Sequence, residues 1–308
     1  MKIHLYIYLS GLLIFNMLIF SDAYSQKKDS SASKTIVKIN TNKYEFLEGE
    51  PIWVEINVII GRDTTKERDS IWATSIDTGS FLTNYKGDTL KYHRTGEPFT
   101  LSRLYYSDTI YRVQNLLDLY GVKDRSNSLM PFYLPEESYK VTILFEKHTK
   151  ESSEIIRSNT VQFRVRKPQG VEIQAYNEYY KIMEMFFNTI GVDSEKKQSE
   201  LMEAVNNFTN SHPNSVYFFQ VKFAQYLSSR YGLDYTLKLK DFVLNEIKNY
   251  PENYWNHIYL ECLRYELYKD NDIGYYNFLT NLIYKYHSTI LSKFCEEELR
   301  WLRAVKEQ

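Results

Sequence analysis

Two cysteines in 308 residues, Cys262 and Cys295, are too few for a disulfide scaffold. Packed cores must hold the chain instead. Charge of one sign is also missing: 38 Lys and Arg face 39 Asp and Glu, a formal net of −1. That balance argues against nucleic acid or an anionic membrane as the main partner. Long apolar runs are absent beyond the first twenty or so residues, so no later segment is expected to enter a membrane. Catalytic signatures are absent too. There is no G-x-S-x-G, phosphate-binding loop or dinucleotide fingerprint. No His pair stands at HxxxH or HExxH spacing, and neither Cys lies near a His at zinc-finger spacing. The expectation is a chain with no catalytic residues, no cofactor-binding residues and no metal ligands.

What is present begins with an address. Lys2 supplies a positive start, Leu5 to Phe20 is almost wholly apolar, and Ala23-Tyr24-Ser25 offers small residues before Gln26. This order predicts a secretory signal peptide over 1–25, cleaved before Gln26. The alternative is an uncleaved anchor, but the run is short for a bilayer span and Ser10 and Asn16 interrupt it. No Cys near the cleavage site suggests lipidation. Residues 26–34 are polar and small and predict a disordered linker. The mature protein is then exported, to the periplasm or the cell exterior. An exported chain meets oxidising conditions, so a Cys262–Cys295 bridge is allowed. Buried thiols are the commoner reading in helical cores.

Next comes a break in period. Before Pro168-Gln169-Gly170 apolar residues alternate two by two; after it they recur every three or four. In the strand part, 35–167, Ile36 to Ile39 and Tyr44 to Phe46 lead to the turn Glu48-Gly49-Glu50-Pro51. Ile52, Val54, Ile56, Val58 and Ile60 then alternate with Glu55 and Asn57, as in a half-buried strand. Gly61 to Ser70 predicts a charged loop. Strands are expected over 71–76 and 81–85, with Lys86-Gly87-Asp88 as a hairpin turn into 89–93. Val141, Ile143 and Phe145 alternate, as do Val161, Phe163 and Val165. Leu101 to Met130 fits no strand pattern, and Val113 to Tyr120 suits a short helix.

The helical part, 171–308, opens with Tyr176, Tyr179, Tyr180, Met183 and Phe187 at helical spacing, in a helix expected over 171–188. It then repeats itself. Pro213 to Pro251 is 38 residues (251 − 213), and Pro251 to His287 is 36 (287 − 251). Such a period predicts stacked helical hairpins. Pro213 and Pro251 are expected at the first position of a helix, where a missing N–H costs nothing. Ser194, Asp234 and Asp270 or Asp272 are candidate caps.

Two resemblances follow from these residues. Leu134 to Tyr139 resembles the turn-then-Tyr corner of immunoglobulin-like folds, in which the hydroxyl bonds nearby backbone. The run EGEPIWVEINV is similar to the strand start of bacterial immunoglobulin-like and macroglobulin-like modules. This implies a binding or spacer module over about 44–167. In the second half, FTNSHPNSVY (208–217) and IKNYPENYW (247–255) resemble tetratricopeptide-type repeats. The likeness covers about 194–306, with 171–188 as a cap. Ala204 has a family-like small side chain, but Phe242 and Phe278 replace it in later units, and His287 stands where Pro is expected. The expected fold class is α+β multidomain: an all-β immunoglobulin-like sandwich, then an all-α helical-hairpin repeat domain.

Candidate sites are few. His93, His148, His212, His257 and His287 read as solvated or helix-ending residues. Asp270-Asn271-Asp272-Ile273-Gly274 is an inter-repeat turn, since its Gly is one place early for a calcium loop and Asn281 holds the place of the bidentate Glu. Glu296-Glu297-Glu298 reads as a solvated face, because consecutive helical positions diverge. Tyr is the unusual residue, with 28 copies. Core packing and compositional bias weigh more than a dedicated ligand surface. The function these readings favour is non-enzymatic: an interaction or scaffolding protein of the bacterial envelope with an unidentified protein partner. Alternatives are carbohydrate binding through exposed aromatics such as Trp53, Trp72 or Tyr85, and protease inhibition by a loop of the strand part.

Overall fold

The computed structural model describes residues 34–61, 71–73, 80–90, 103–105, 109–117, 133–148, 153–189, 195–228, 235–268 and 271–306. The expected signal peptide, most of the linker, the loop after Gly61, His93, Ser194, Asp234 and Asp270 lie outside them. Strands precede helices, giving a mixed α+β architecture. The strands are β1 (Ile36–Thr41), β2 (Glu45–Leu47), β3 (Trp53–Ile59), β4 (Ile71–Ala73), β5 (Ser80–Asn84), β6 (Arg103–Tyr105), β7 (Thr109–Asn115), β8 (Glu137–His148), β9 (Ser153–Arg157) and β10 (Val161–Arg166). The helices are α1 (Val171–Thr189), α2 (Glu195–Ser211), α3 (Phe218–Ser228), α4 (Tyr235–Asn249), α5 (Asn256–Leu267), α6 (Asp272–Lys285) and α7 (Ile290–Lys306).

Two open sheets form. One has the order β1-β3-β7, all antiparallel; the other runs β2-β10-β8-β4-β6, with β5 and β9 also on β8. Strand β2 joins β10 in parallel. The alternation read from the sequence sets the inward face of each sheet. Val54, Ile56 and Val58 of β3 meet Val141, Ile143 and Phe163 of the second sheet in one apolar core. Each such side chain contributes roughly 1.5–3 kcal/mol on burial. Tyr139 stands at the corner, its hydroxyl donating to the Pro135 carbonyl at 2.8 Å, its ring stacked on Phe163. The hairpin turn at Lys86–Gly87 is present, with Gly87 at φ 88° and the Asn84 amide bonded to the Asp88 carbonyl.

The middle of the strand half departs from expectation. Arg103–Tyr105 and Thr109–Asn115 are strands, so 113–115 extend β7 where a short helix was expected. The sequence hid β7 because both of its faces are covered: Ile110 enters the core between the sheets, while Tyr111 packs against helices. Adjacent buried residues erase the period of two.

The helices come in pairs joined by short turns: α2 with α3, α4 with α5, α6 with α7. The two Pro residues do not open helices. Pro213 and Pro251 lie in turns that precede α3 and α5 by five residues (218 − 213 and 256 − 251). The reason is a double turn. Ser215 N–H bonds the His212 carbonyl, and Phe218 N–H bonds the Ser215 carbonyl. Asn253 to Tyr250 and Asn256 to Asn253 repeat this 38 residues later (250 − 212). The third turn keeps the first bond, from Thr289 N–H to the Tyr286 carbonyl, with Ser288 in the left-handed region. The cap of α6 is also corrected. It is Asn271, not Asp272, whose side-chain oxygen accepts from Gly274 N–H at 2.8 Å. Among the described residues no helix is long and apolar enough to cross a membrane.

Candidate functional site

The densest chemistry lies where the strand half meets the helices. The β2–β3 turn is the first contact. Gly49 sits at φ 78°, a left-handed conformation that favours glycine. This lets the turn approach a tyrosine cluster. Tyr217 of the first helix-pair turn donates to the Glu48 carbonyl at 2.8 Å, and Tyr176 of α1 donates to the Glu48 carboxylate at 3.0 Å. Tyr179 stacks on Tyr217 at 4.5 Å. Burial holds all three phenols above the usual tyrosine range. Nearby, the carboxyl of Glu50 is raised by burial, although Lys43 and the Leu47 amide partly offset this.

Trp53 is the second contact. It lies on the face of β3 opposite the alternating core residues, yet is only 6% exposed. Its ring stacks on Tyr254 and meets Trp255 and His257 edge-on at 5.6 and 5.3 Å. Tyr254 donates to the Glu55 carboxylate. The His257 ring, enclosed between Trp53 and Phe294, bonds the Tyr254 carbonyl through Nδ1. Burial lowers its pKa to about 4, so the ring is neutral near pH 7.

The third contact is β7 on α7. Tyr111 packs on Phe294, its backbone N–H donates to Glu297 at 3.2 Å, and Arg300 donates to the Thr109 carbonyl. Glu297 and Glu298 are therefore buried, which corrects the solvated-face reading. Glu297 meets Arg300 at 2.9 Å and Glu298 meets Arg264 at 3.4 Å. Only Glu296 of that run is exposed. On the opposite edge of the same sheet, Asn159 pairs with both backbone groups of Ile39, at 2.8 and 2.9 Å. Both edges of the three-stranded sheet thus carry a side chain where another strand would add.

Successive helix pairs therefore grip successive parts of the sheet: the first the β2–β3 turn, the second β3, the third β7. A bidentate Arg166–Glu172 pair closes the junction at 2.6 and 2.7 Å. The guanidinium bonds hold the Glu172 carboxyl down to about 2. The helices bury most of their apolar surface against neighbouring helices, and Leu47, Trp53 and Tyr111 of the strand half join those clusters. Sequence reasoning missed the seam, although it carried a signal: Trp53 beside Val54 puts large apolar groups on both faces of one strand.

The aromatics proposed for carbohydrate part company. Trp53 is inside the seam and unavailable. Trp72 lies in β4, opposite His148 and Leu104 in register. Tyr85 is 65% exposed at the hairpin, with the Lys86 ammonium 5.4 Å from its ring centroid. His212 bonds Glu178 at 3.0 Å, and His287 is exposed in the third turn. Cys262 and Cys295 are both thiols, not a bridge. Burial pushes the Cys295 thiol far up, which makes it unreactive. Tyr139, Tyr179, Tyr217, Tyr259 and Tyr275 are all fully buried, as core packing required. Among the described residues no cluster of His, Cys, Asp or Glu is arranged to hold a metal ion. No protein-family model matches the chain, and no curated protein matches it in sequence.

Proposed function

We propose that this chain is an exported, non-enzymatic scaffolding or interaction protein of the bacterial envelope, in the periplasm or outside the cell. In this reading the strand half is an immunoglobulin-like sandwich and the helical half a degenerate tetratricopeptide-type array. The observation that carries it is the double turn repeated 38 residues apart, because stacked helix pairs present extended binding surfaces. The Tyr139 corner supports the sandwich. The partner is another protein. N-terminal sequencing of the exported chain should begin at Gln26; retention of Leu5–Phe20 would sink the export. A photo-crosslinking residue at exposed helical positions should capture one discrete protein partner in intact cells. Diffuse labelling would count against a scaffold.

Exposed Tyr85 favours the second reading, carbohydrate binding at the hairpin. A glycan array read with the wild type and Tyr85→Ala distinguishes the two. Binding that is lost in the variant supports this second reading.

A further inference from the structure

The outer face of the larger sheet, beside the Tyr85 hairpin, carries cations that the chain does not pair. Lys140 of β8 lies between Thr83 of β5 and Gln162 of β10, and two residues along Ser138 lies opposite Arg164. Lys140 and Arg164 alternate with buried Tyr139 and Phe163, and both are exposed. They are diagonal neighbours across two strands, about 7 Å apart. Lys86 adds a third ammonium, 5.4 Å from the centroid of the exposed Tyr85 ring. Among the described residues no carboxylate stands at ion-pair distance from any of the three. Of the acids around this face, Glu45 is held by Arg166 at 2.8 Å and Asp88 accepts from the Asn84 amide at 3.1 Å. That leaves Glu136 against three cations.

The hairpin that holds Tyr85 is fixed before anything binds. The Asn84 side-chain oxygen accepts from the Lys86 and Asp88 N–H groups at 3.0 and 2.9 Å. Little order is then lost when the ring is covered. We propose that this face binds an acidic polysaccharide, whose sugar rings carry carboxylates. One ring lays its C–H face on Tyr85, an apolar surface with a polar tip. Carboxylates of that unit and its neighbours pair with Lys140 and Arg164. Like charges side by side on a sheet destabilise it, and a bound anion relieves that repulsion. The whole chain carries a net of only −1, so the attraction is confined to this face. Nucleic acid would need a broader basic surface. The inference rests on the carbohydrate reading of the hairpin and narrows it to acidic sugars.

The test is titration calorimetry of the full chain with polygalacturonate, beside its methyl ester and neutral dextran. Binding to the free acid alone is expected, weakened at least about tenfold between about 50 and 500 mM salt. Lys140→Gln and Arg164→Gln should each weaken it about three- to tenfold, while Lys140→Arg keeps it. Tyr85→Ala should weaken it by about tenfold. All four positions are on the surface, so the variants should fold as the wild type does. Equal binding of the ester or of dextran overturns the proposal but leaves the carbohydrate reading standing. So does binding that both Gln variants retain. Binding to no glycan removes that reading and the proposal together. Tighter binding of single-stranded DNA than of polygalacturonate also overturns the proposal.

Discussion

Trp53 of β3 and Tyr254 of the second helix-pair turn stack across the join of strands and helices, ring centroids 6.2 Å apart and planes 20° from parallel. The same tyrosine hydroxyl is bonded to Glu55, two residues along the same face of β3. One side chain thus fixes both the distance and the register of the two halves. Trp53→Ala should cost about 3–5 kcal/mol, the usual loss for a large aromatic removed from a core. Calorimetry is the check, with Tyr85→Ala as a surface control changing stability by no more than about 0.5 kcal/mol. A loss below about 1 kcal/mol at Trp53 would show that the seam is not a core.

Gly49→Ala tests the turn. A Cβ there would sit 3.4 Å from the Tyr179 ring, and φ is 78°. The left-handed conformation alone costs about 1–2 kcal/mol for a non-glycine residue. Denaturant unfolding should show at least that loss. An unchanged midpoint would mean the turn can relax away from the tyrosines.

Removing only the corner hydroxyl, with Tyr139→Phe, keeps the ring packed on Phe163. The expected loss is about 0.5–1.5 kcal/mol, the net worth of one hydrogen bond. No measurable loss would count against a structural role for the Pro135 contact.

Acid should loosen the seam. The pKa of His257 is depressed from 6.5 to about 4 by burial. The unfolded chain therefore binds its proton first as pH falls. Its contribution to stability is present above about 6.5, is lost progressively toward 4, and is constant below. Glu172 acts lower: its carboxyl is held near 2 by Arg166, so that stability is lost as pH falls from about 4.5 toward 2. His257→Gln should flatten the stability profile between pH 6.5 and 4 and leave the Glu172 region unchanged. An identical slope in the variant would remove His257 as the cause.

Cutting the chain at 170 should leave both halves weakened. A fragment 171–308 uncovers Tyr217, Tyr254 and Phe294, all buried in the full chain. It should keep a helical circular-dichroism spectrum, melt below the full chain and associate through the uncovered face. Adding the strand fragment should raise its melting temperature. A fragment as stable as the full chain would show that the seam contributes nothing.

Some features were legible because they arise from nearest neighbours in sequence. The strand phase of β3, β8 and β10 follows from side chains that alternate across a pleat. The start of α1 at Val171 follows from Pro168 and Gly170. The 38-residue repeat appears as a repeated turn, although the proline sits earlier in that turn than helix-start rules suggest. The corner at Tyr139 was also readable, because the turn and its tyrosine are only four residues apart.

The amino-acid sequence by itself determined the order of strands and helices, the inward face of each alternating strand and the spacing of the helix pairs, since these depend on local periodicity. Only the tertiary structure decided that Trp53 is buried rather than open to a sugar, that Tyr111 begins a helix contact, and that Glu297 is enclosed rather than solvated. Each partner lies far away in the chain: Glu297 reaches Tyr111 across 186 residues and Tyr254 reaches Glu55 across 199. No pattern within one strand or one helix contains that information. It exists only once the outer face of the three-stranded sheet meets the helix pairs, and burial there changes what the same side chains can do.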